Sequence, residues 1–412
     1  MKNITSISRI LPRAAICRLK FGLLACVAVA TPAQGSSPAV LWHALDGKPA
    51  VLLRQLIVEF NATHSDTIRE ETGMDLIPAL LTQTETNTQP DAVLAPSDVL
   101  GVAELVKASI VPALMIPASV GAEVRSTVVT KGVAWGVPVL DGNTLLLFYN
   151  KRLLGGRASA GFAVPPQLLS YFSKQFMSLT SKDSRDLPVA WKFDEPYLFL
   201  AFASSFGVRP AGESIELGSS EMTRALSEYR KLGERLPALA KCAYDCAAER
   251  FYKGEFSAVI NGEWALDDAV HALGADLGVA PLPGYGGSSM HSLRATHVLF
   301  FPGQALSGPH GQALKEFAAF LSDIKTQRRW RTFAKRLPVH KQVQEEMFRS
   351  KDPIEHALIQ ALRESYMTPS SARIQVLWQA LGKGLHLMVN GSLSVEESQK
   401  YMVRLSQVKD FK

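Results

Sequence analysis

The chain has 412 residues, of which 47% are hydrophobic and 20% charged; this length is enough for two domains, and the composition excludes a disordered chain. The formal net charge is +6, which by itself would suggest a nucleic acid or an anionic membrane as the partner. However, the first 35 residues contain five basic side chains and no acidic one, so the remainder carries only 6 − 5 = +1. No nucleic-acid partner is therefore expected.

Residues 1–35 have the composition of a secretory signal peptide. A basic stretch is followed by an apolar run over Phe21–Ala30 and then by small residues. Ten apolar residues are too few to span a bilayer as a stable helix, so we expect export and cleavage after Ala33 or Gly35. The sequence LLAC ending at Cys26 resembles a lipoprotein box, but the apolar run continues past the cysteine. Lipidation is therefore the less favoured interpretation.

Two cysteines, Cys242 and Cys246, lie outside the leader. Export places them in an oxidising compartment, which favours a disulfide between them. On a helix, residues four apart have Cβ atoms about 5–6 Å from each other, beyond the roughly 3.8 Å that a disulfide requires. The bridge therefore predicts that the segment from Cys242 to Cys246 is a loop. No metal site is expected, because the nearest histidine, His271, is distant in sequence.

Strand-like and helix-like patterns alternate in the first hundred residues after the leader. Short apolar runs predict strands over Ala39–Trp42 and Asp91–Ala95, and a helical period predicts helices over Ala50–His64 and Val99–Ala108. This β-α-β-α order implies a largely parallel sheet with helices on its faces.

Two buried strands are predicted next, over Val137–Leu140 and Leu145–Tyr149. The polar segment Asp141–Thr144 between them is either an ordinary turn or backbone that approaches a ligand. The local pattern alone favours a turn.

The remaining half of the chain continues the mixture of helices and strands. A loop is predicted over Gly155–Pro166, and Ser394 is the predicted N-cap of the last helix. The other predicted elements are strands over Ser257–Ile260 and Asp276–Ala280 and helices over Glu221–Leu232, Gly311–Asp323 and Ala372–Val389.

Six short motifs follow one another along the chain. They are LWHALDG from Leu41, DAVLAPSD from Asp91, GVPVLDGNTLLLFYNK from Gly136, EPY from Glu195, FYKGEFSAVINGEW from Phe251, and a late aromatic helix over Ile374–Leu381. In this order they resemble the motifs of bacterial extracellular solute-binding proteins of the maltose-binding type. The resemblance covers nearly the whole chain after the leader.

The resemblance implies an α/β protein with the two-lobed type II periplasmic-binding fold. Each lobe would be a mixed, mainly parallel sheet flanked by helices, and a hinge would join the lobes. The implied N-terminal lobe comprises residues 36–142 and 296–345, and the implied C-terminal lobe comprises residues 143–295 and 346–412. The segment Asp141–Thr144 then becomes the first crossing of the hinge, beside a ligand cleft.

The resemblance also implies a function. A periplasmic protein of this kind captures a sugar, here of the maltose or trehalose type, and delivers it to the permease subunits of an ABC transporter. It would work as a monomer, without a cofactor and without enzymatic activity.

Two alternatives stay open. The WHALDG stretch also looks like that of glycerol-3-phosphate-binding relatives, so a phosphate ester or another polar solute is the alternative ligand. An exported glycoside-acting enzyme is the other alternative, although the chain has no G-x-S-x-G, H-E-x-x-H or P-loop motif. Asp267 and Asp268 are adjacent on a helical pattern and do not face each other as a catalytic pair would.

A sugar site needs polar side chains for the hydroxyl groups and aromatic rings for the C–H faces. The matched motifs supply both kinds of residue. The candidate ligand-binding residues are Asp46, Lys48, Asp98, Asn143, Glu195, Tyr197, Trp264 and Trp378.

Structural roles compete with these assignments. Asp46 also fits a turn, Lys48 a solvated charge, Asp98 a helix cap and Glu195 a loop carboxylate, and both tryptophans also fit the core. The chain departs from the family's maltose binder as well. Ala95 and Val99 stand where an aromatic residue and an arginine flank the Asp98 position, and Asn143 replaces a hinge carboxylate.

Overall fold

The computed structural model describes residues 37–155, 170, 173–174, 189–212, 214–235 and 244–407. The predicted leader with Cys26, the cysteine Cys242 and the predicted loop beyond Gly155 lie outside the described residues. Among the described helices, none has both the length and the apolar character needed to cross a membrane.

Ten strands of the described residues form two mixed sheets. In chain order they are β1 (Ala39–His43), β2 (Ile68–Glu71), β3 (Ala92–Pro96), β4 (Gly136–Asp141), β5 (Leu145–Asn150), β6 (Val189–Ala190), β7 (Ala258–Gly262), β8 (Leu277–Ala280), β9 (His297–Phe300) and β10 (Leu337–Pro338). Short two-stranded pairs join Val129–Thr130 to Val133–Ala134, Pro210–Ala211 to Ser214–Ile215, Gly284–Tyr285 to Ser288–Ser289 and Leu293–Arg294 to Tyr366–Met367.

The larger sheet has six strands in the order β10-β4-β9-β3-β1-β2. Strand β1 is parallel to β2 and β3, whereas β9 is antiparallel to both β3 and β4, and β10 is antiparallel to β4. The smaller sheet has the order β8-β5-β7-β6, with β5 antiparallel to both of its neighbours and β7 parallel to β6. Most strands of each sheet therefore run in one direction, with returning strands inserted among them.

Helices cover these sheets. The described α-helices are α1 (Gly47–Asn61), α2 (Leu76–Thr86), α3 (Ala122–Thr127), α4 (Lys151–Leu154), α5 (Pro196–Ser204), α6 (Ser220–Arg235), α7 (Tyr244–Tyr252), α8 (Leu266–Leu273), α9 (Gly311–Ser322), α10 (Ile324–Thr332), α11 (Lys341–Phe348), α12 (Pro353–Glu364), α13 (Ala372–Val389) and α14 (Val395–Ser406). Short 3₁₀ helices include Ser97–Val102 after β3 and Glu263–Ala265 after β7.

Each sheet lies in its own hydrophobic core. One core contains Leu41, Val93, Val137 and Leu299 of the six-stranded sheet, together with helices such as α1 and α9. The other contains residues of the four-stranded sheet and helices such as α5, α12 and α13. We call the part built on the six-stranded sheet the first lobe and the part built on the four-stranded sheet the second lobe, and this two-lobed α/β architecture confirms the expected fold class.

The chain passes between the lobes at Asp141–Thr144. Strand β4 belongs to the six-stranded sheet and β5 to the four-stranded sheet, so the polar segment is a passage between lobes and not the turn that the local pattern favoured. Gly142 and Asn143 have φ angles of 112° and 48°, a region that favours glycine and tolerates asparagine. A second passage between the lobes lies between Leu293–Arg294 and strand β9. On this passage, the amide of Ala295 donates to the carbonyl of Gly142 at 2.9 Å.

Three local expectations were wrong or incomplete. The helix predicted over Val99–Ala108 is a short 3₁₀ helix over Ser97–Val102, since the glycine at position 101 weakens a longer helix. Strand β2 was missed because an edge strand of sequence IREE does not show apolar alternation. Helix α2 was also missed, although LIPALL is apolar.

The cysteine segment also differs from the expected loop. Cys246 is disulfide-bonded but lies in helix α7, whose described residues begin at Tyr244. The argument from Cβ spacing applies only when both cysteines belong to one helix. The pairing of Cys246 with Cys242 stays a prediction.

Candidate functional site

A cavity of about 380 Å³ opens where the two lobes meet. Its size is within the range of pockets that hold small molecules. It is lined by residues after β3, on the two passages between lobes, at the start of α5, after β7 and on α13, namely Pro96, Asp98, Asn143, Leu145, Glu195, Pro196, Tyr197, Leu198, Trp264, Ala295, Thr368 and Trp378.

Six of the eight residues predicted from the sequence line this cavity. They are spread over 281 positions of the chain and are all half-buried: Asp98, Asn143, Glu195, Tyr197, Trp264 and Trp378. The fold therefore brings together the residues that the motifs indicated, and their roles in binding remain predictions.

The other two predicted residues do not line the cavity. Asp46 is exposed and precedes helix α1, without a capping hydrogen bond from its side chain. Lys48 donates from Nζ to Asp267 Oδ1 on helix α8, at 2.9 Å. Lys48 thus has an acidic partner outside the cavity.

Three aromatic rings form one wall of the cavity. The ring of Tyr197 lies between the two tryptophans, with centroid distances of 6.4 Å to Trp264 and 6.0 Å to Trp378. Tyr197 also donates its hydroxyl to the carbonyl of Asn143, and burial raises the pKa of this hydroxyl. This hydrogen bond therefore connects the aromatic wall to the first passage between the lobes.

Glu195 is placed at the cavity by the start of helix α5. It is the N-cap of the helix, with Pro196 at the first helical position, and its Oε1 accepts the backbone N–H of Tyr197 at 3.3 Å. This arrangement follows from the Glu-Pro-Tyr sequence, because proline favours the first turn and an acidic side chain accepts a free N–H there. Lys192 Nζ lies 3.5 Å from Glu195 Oε2.

Asp98 lies opposite, on the first lobe. Burial raises its pKa to about 6, although the side chains of Trp378 and Gln375 and two backbone N–H groups donate hydrogen bonds to its carboxylate. Gln375 also donates to the backbone carbonyl of Asp98 at 3.0 Å. Asp98 thus joins the 3₁₀ helix of the first lobe to helix α13 of the second.

Behind the cavity, two buried ion pairs cross between the lobes. Asp141 Oδ2 lies 3.9 Å from Arg294 Nη1, and Glu263 Oε1 lies 3.7 Å from Arg336 Nη1. Burial raises the pKa values of both carboxyl groups, that of Glu263 to about 7. The sequence-based prediction did not include these two ion pairs. The only signal for them was the acidic residue directly before Trp264.

The cavity lining carries acidic but not basic side chains. Asp98 and Glu195 are its charged members, and no Lys, Arg or His is among the described lining residues. Among the described residues, no cluster of His, Cys, Asp and Glu is arranged to hold a metal ion. Such a cavity suits a ligand with hydroxyl donors for carboxylates and apolar faces for aromatic rings.

Residues 55–357 match the model for bacterial extracellular solute-binding proteins. No curated protein matches the chain.

Solved structures with the same fold cover nearly the whole chain. A cyclo/maltodextrin-binding protein complexed with maltotetraose is 18% identical, with a TM-score of 0.71, over 92% of this chain and 100% of that one. The maltose/maltodextrin-binding domain from Bdellovibrio bacteriovorus, bound to maltotriose, is 18% identical with a TM-score of 0.72, over 90% and 99%. The maltose-maltodextrin binding protein of the thermoacidophilic bacterium Alicyclobacillus acidocaldarius is 17% identical with a TM-score of 0.75, over 90% and 100%. At these identities the likeness shows the fold.

Proposed function

Because the chain belongs to the bacterial extracellular solute-binding proteins, we propose that it captures a maltose- or trehalose-type di- or oligosaccharide in the cavity between its lobes. In this proposal it is a periplasmic binding protein, acts as a monomer without enzymatic activity, and delivers the sugar to the permease subunits of an ABC transporter. The lobes are residues 36–142 with 296–345 and residues 143–295 with 346–412.

One observation carries the choice of a sugar. Tyr197, Trp264 and Trp378 form a single aromatic wall in the cavity that Asp98 and Glu195 also line. Aromatic faces cover the C–H surfaces of a sugar ring, and carboxylates accept hydrogen bonds from its hydroxyl groups. The six predicted residues at the cavity are the proposed ligand-binding residues.

The charge of the lining favours this ligand over glycerol-3-phosphate. A phosphate ester requires guanidinium or ammonium groups, or free amides at a helix N-terminus. The described lining residues offer two carboxylates and no basic side chain. The start of helix α5, which faces the cavity, is already capped by Glu195.

Calorimetric titration of the protein without its leader tests the proposal. We expect saturable binding of maltose, maltotriose or trehalose, and no binding of glycerol-3-phosphate under the same conditions. Binding of glycerol-3-phosphate alone would overturn the choice of a sugar. Release of glucose from maltose, maltotriose or trehalose would favour the enzyme alternative.

Export has its own test. Mass spectrometry of the secreted protein is expected to find an N-terminus near residues 34–36. A lipidated N-terminal Cys26 would overturn cleavage at that place.

A further inference from the structure

Glu263 lies between two features of the candidate site, the ring of Trp264 and the first passage between the lobes. It directly precedes Trp264 in the 3₁₀ helix that follows strand β7. Its backbone N–H donates to the carbonyl of Thr144 at 3.0 Å, and its carboxylate accepts the backbone N–H of Asn143. One residue thus connects a cavity-lining ring to the first passage between the lobes.

The carboxylate of Glu263 packs directly against Gly142 of the passage. A Cβ at position 142 would clash with the carboxylate, and Gly142 already has a φ of 112° that disfavours any other residue. The side chain of Glu263 is 1% exposed. Its Oε2 has no hydrogen-bond partner among the described residues, which is costly for a buried charged oxygen.

The balancing charge comes from the other lobe. Arg336, which immediately precedes strand β10 of the six-stranded sheet, lies 3.7 Å from Glu263 Oε1. This distance is longer than a direct hydrogen bond, so the interaction is a charge–charge attraction that weakens as the distance between the two groups increases. Glu263 is therefore paired with a charge of the first lobe while it contacts Asn143 and directly precedes Trp264.

We propose that Glu263 is a positioning residue for ligand binding, which holds Asn143 and Trp264 at the cavity and couples their placement to the first lobe through Arg336. The proposal rests on the proposed function of the cavity as the ligand site. Ionised Glu263 attracts Arg336 and binds the Asn143 amide strongly, and protonation weakens both contacts.

The charged groups around Glu263 influence the pH at which its carboxylate is protonated. Burial raises the pKa of Glu263 to about 7, the nearby charge of Asp141 adds to this effect, and Arg336 opposes it. Arg294 lies beside Asp141, and Glu123 pairs with Arg294 in turn. His297 stays neutral, because burial and Arg336 lower its pKa to about 3.

The central experiment measures maltose affinity from pH 5.5 to 8.5 for the wild type and for Glu263→Gln. In the wild type we expect affinity to fall about tenfold toward low pH, since the loss of a hydrogen bond to a charged group has this magnitude. A tenfold change means that the pKa of Glu263 falls by about one unit when maltose binds. Glu263→Gln is expected to bind weakly at pH 8.5 and to lack this dependence.

The matched control is Glu355→Gln. Glu355 is also buried and accepts two hydrogen bonds from Arg331, at 2.7 and 2.9 Å, but it lies on helix α12 away from the cavity lining. This variant is expected to keep the wild-type pH profile of affinity. A pH dependence of wild-type size in Glu263→Gln would overturn the positioning role of Glu263.

A second measurement needs no ligand. The fluorescence of Trp264, isolated by subtracting the spectrum of Trp264→Phe, is expected to change in the free protein with a midpoint near pH 7. The change is expected to disappear in the Glu263→Gln background, and Arg336→Gln is expected to move the midpoint upward because it removes the opposing positive charge.

The outcomes separate the two proposals. If maltose and the other sugars do not bind but the fluorescence transition depends on Glu263, the choice of a sugar is wrong and the positioning role stands. If the wild type and Glu263→Gln bind maltose equally at every pH, the positioning role is wrong. The same conclusion follows if the fluorescence transition near pH 7 persists without the Glu263 carboxylate.

Discussion

Lys48 on helix α1 and Asp267 on helix α8 form an ion pair of 2.9 Å that joins the two lobes outside the cavity. The two residues are 219 positions apart in the sequence. Their side chains are 48% and 21% exposed, so solvent and salt screen the attraction. The pair is thus a weak contact between the lobes. One of its members, Lys48, was predicted from the sequence to bind the ligand.

The first prediction follows from this pair. Lys48→Met is expected to change maltose affinity by less than about fivefold, since an exposed pair contributes roughly 0–1 kcal/mol. A double-mutant cycle with Asp267→Asn is expected to give a coupling energy of unfolding below about 1 kcal/mol, smaller still in high salt. A much larger loss of affinity in Lys48→Met would restore Lys48 as a ligand-binding residue.

Trp264→Ala tests the aromatic wall. We expect a loss of about 1–3 kcal/mol in sugar binding from the transfer energy of a large apolar side chain, or roughly a five- to a hundredfold weaker Kd. The half-buried ring also packs against the core of the second lobe. The control is therefore the thermal unfolding of the free variant: early unfolding with intact affinity would assign Trp264 to the core.

Glu195→Gln separates the charge of Glu195 from its capping role. The amide oxygen of glutamine can still accept the Tyr197 N–H, so helix α5 and the melting temperature are expected to change little. Loss of the charged acceptor is expected to weaken sugar binding by about 1.5–3 kcal/mol. Calorimetric titration measures this, and unchanged affinity would leave Glu195 as a helix cap only.

The raised pKa of Asp98 predicts that the free energy of unfolding depends on pH, and Asp98→Asn tests this. The pKa of Asp98 is raised from 3.8 to about 6 by burial, so folding favours its protonated form. The stability from this group is present below pH 3.8 and is lost as the pH rises through 6.

The variant removes this dependence. Relative to the wild type, Asp98→Asn is expected to gain up to about 2 kcal/mol of unfolding free energy between pH 4 and pH 7.5, since one pKa unit corresponds to about 1.4 kcal/mol. Urea unfolding at both pH values measures the difference. If the unfolding free energy of the wild type, measured relative to Asp98→Asn, is higher at pH 7.5 than at pH 4, the prediction is wrong.

The predicted disulfide between Cys242 and Cys246 is tested by thiol labelling. In denatured, unreduced protein without its leader, no thiol is expected to react, because these are the remaining cysteines. Two reactive thiols in protein prepared from the periplasm would show that the bridge does not form there.

The local sequence pattern predicted those parts of the fold that depend on interactions between neighbouring residues. The apolar runs of β4 and β5 and the capping box of Ser394 with Glu397 were predictable because short-range sterics and hydrogen bonds determine them. The passage over Asp141–Thr144 was different. Its local pattern favoured a turn, and only the order of motifs along the whole chain suggested a crossing between lobes.

Long-range charge pairing could not be predicted in this way. Nothing near Lys48 in the sequence indicates Asp267, and nothing near Glu263 indicates Arg336, because these contacts depend on how the lobes pack together. An acidic side chain usually remains exposed to solvent. The burial of Glu263 depends on the missing side chain at Gly142, a contact between distant parts of the chain.

The crossed ion pairs also limit how far the two lobes are interchangeable modules. Each pair takes one partner from either side: Asp141 and Arg336 from the first lobe, Arg294 and Glu263 from the second. A chimera that recombined lobes from different relatives would place each of these charges against a foreign surface, at a depth where an unpaired charge is strongly destabilising. In this protein the four residues therefore form a set, because exchanging one lobe alone would leave a buried charge of the other lobe without its partner.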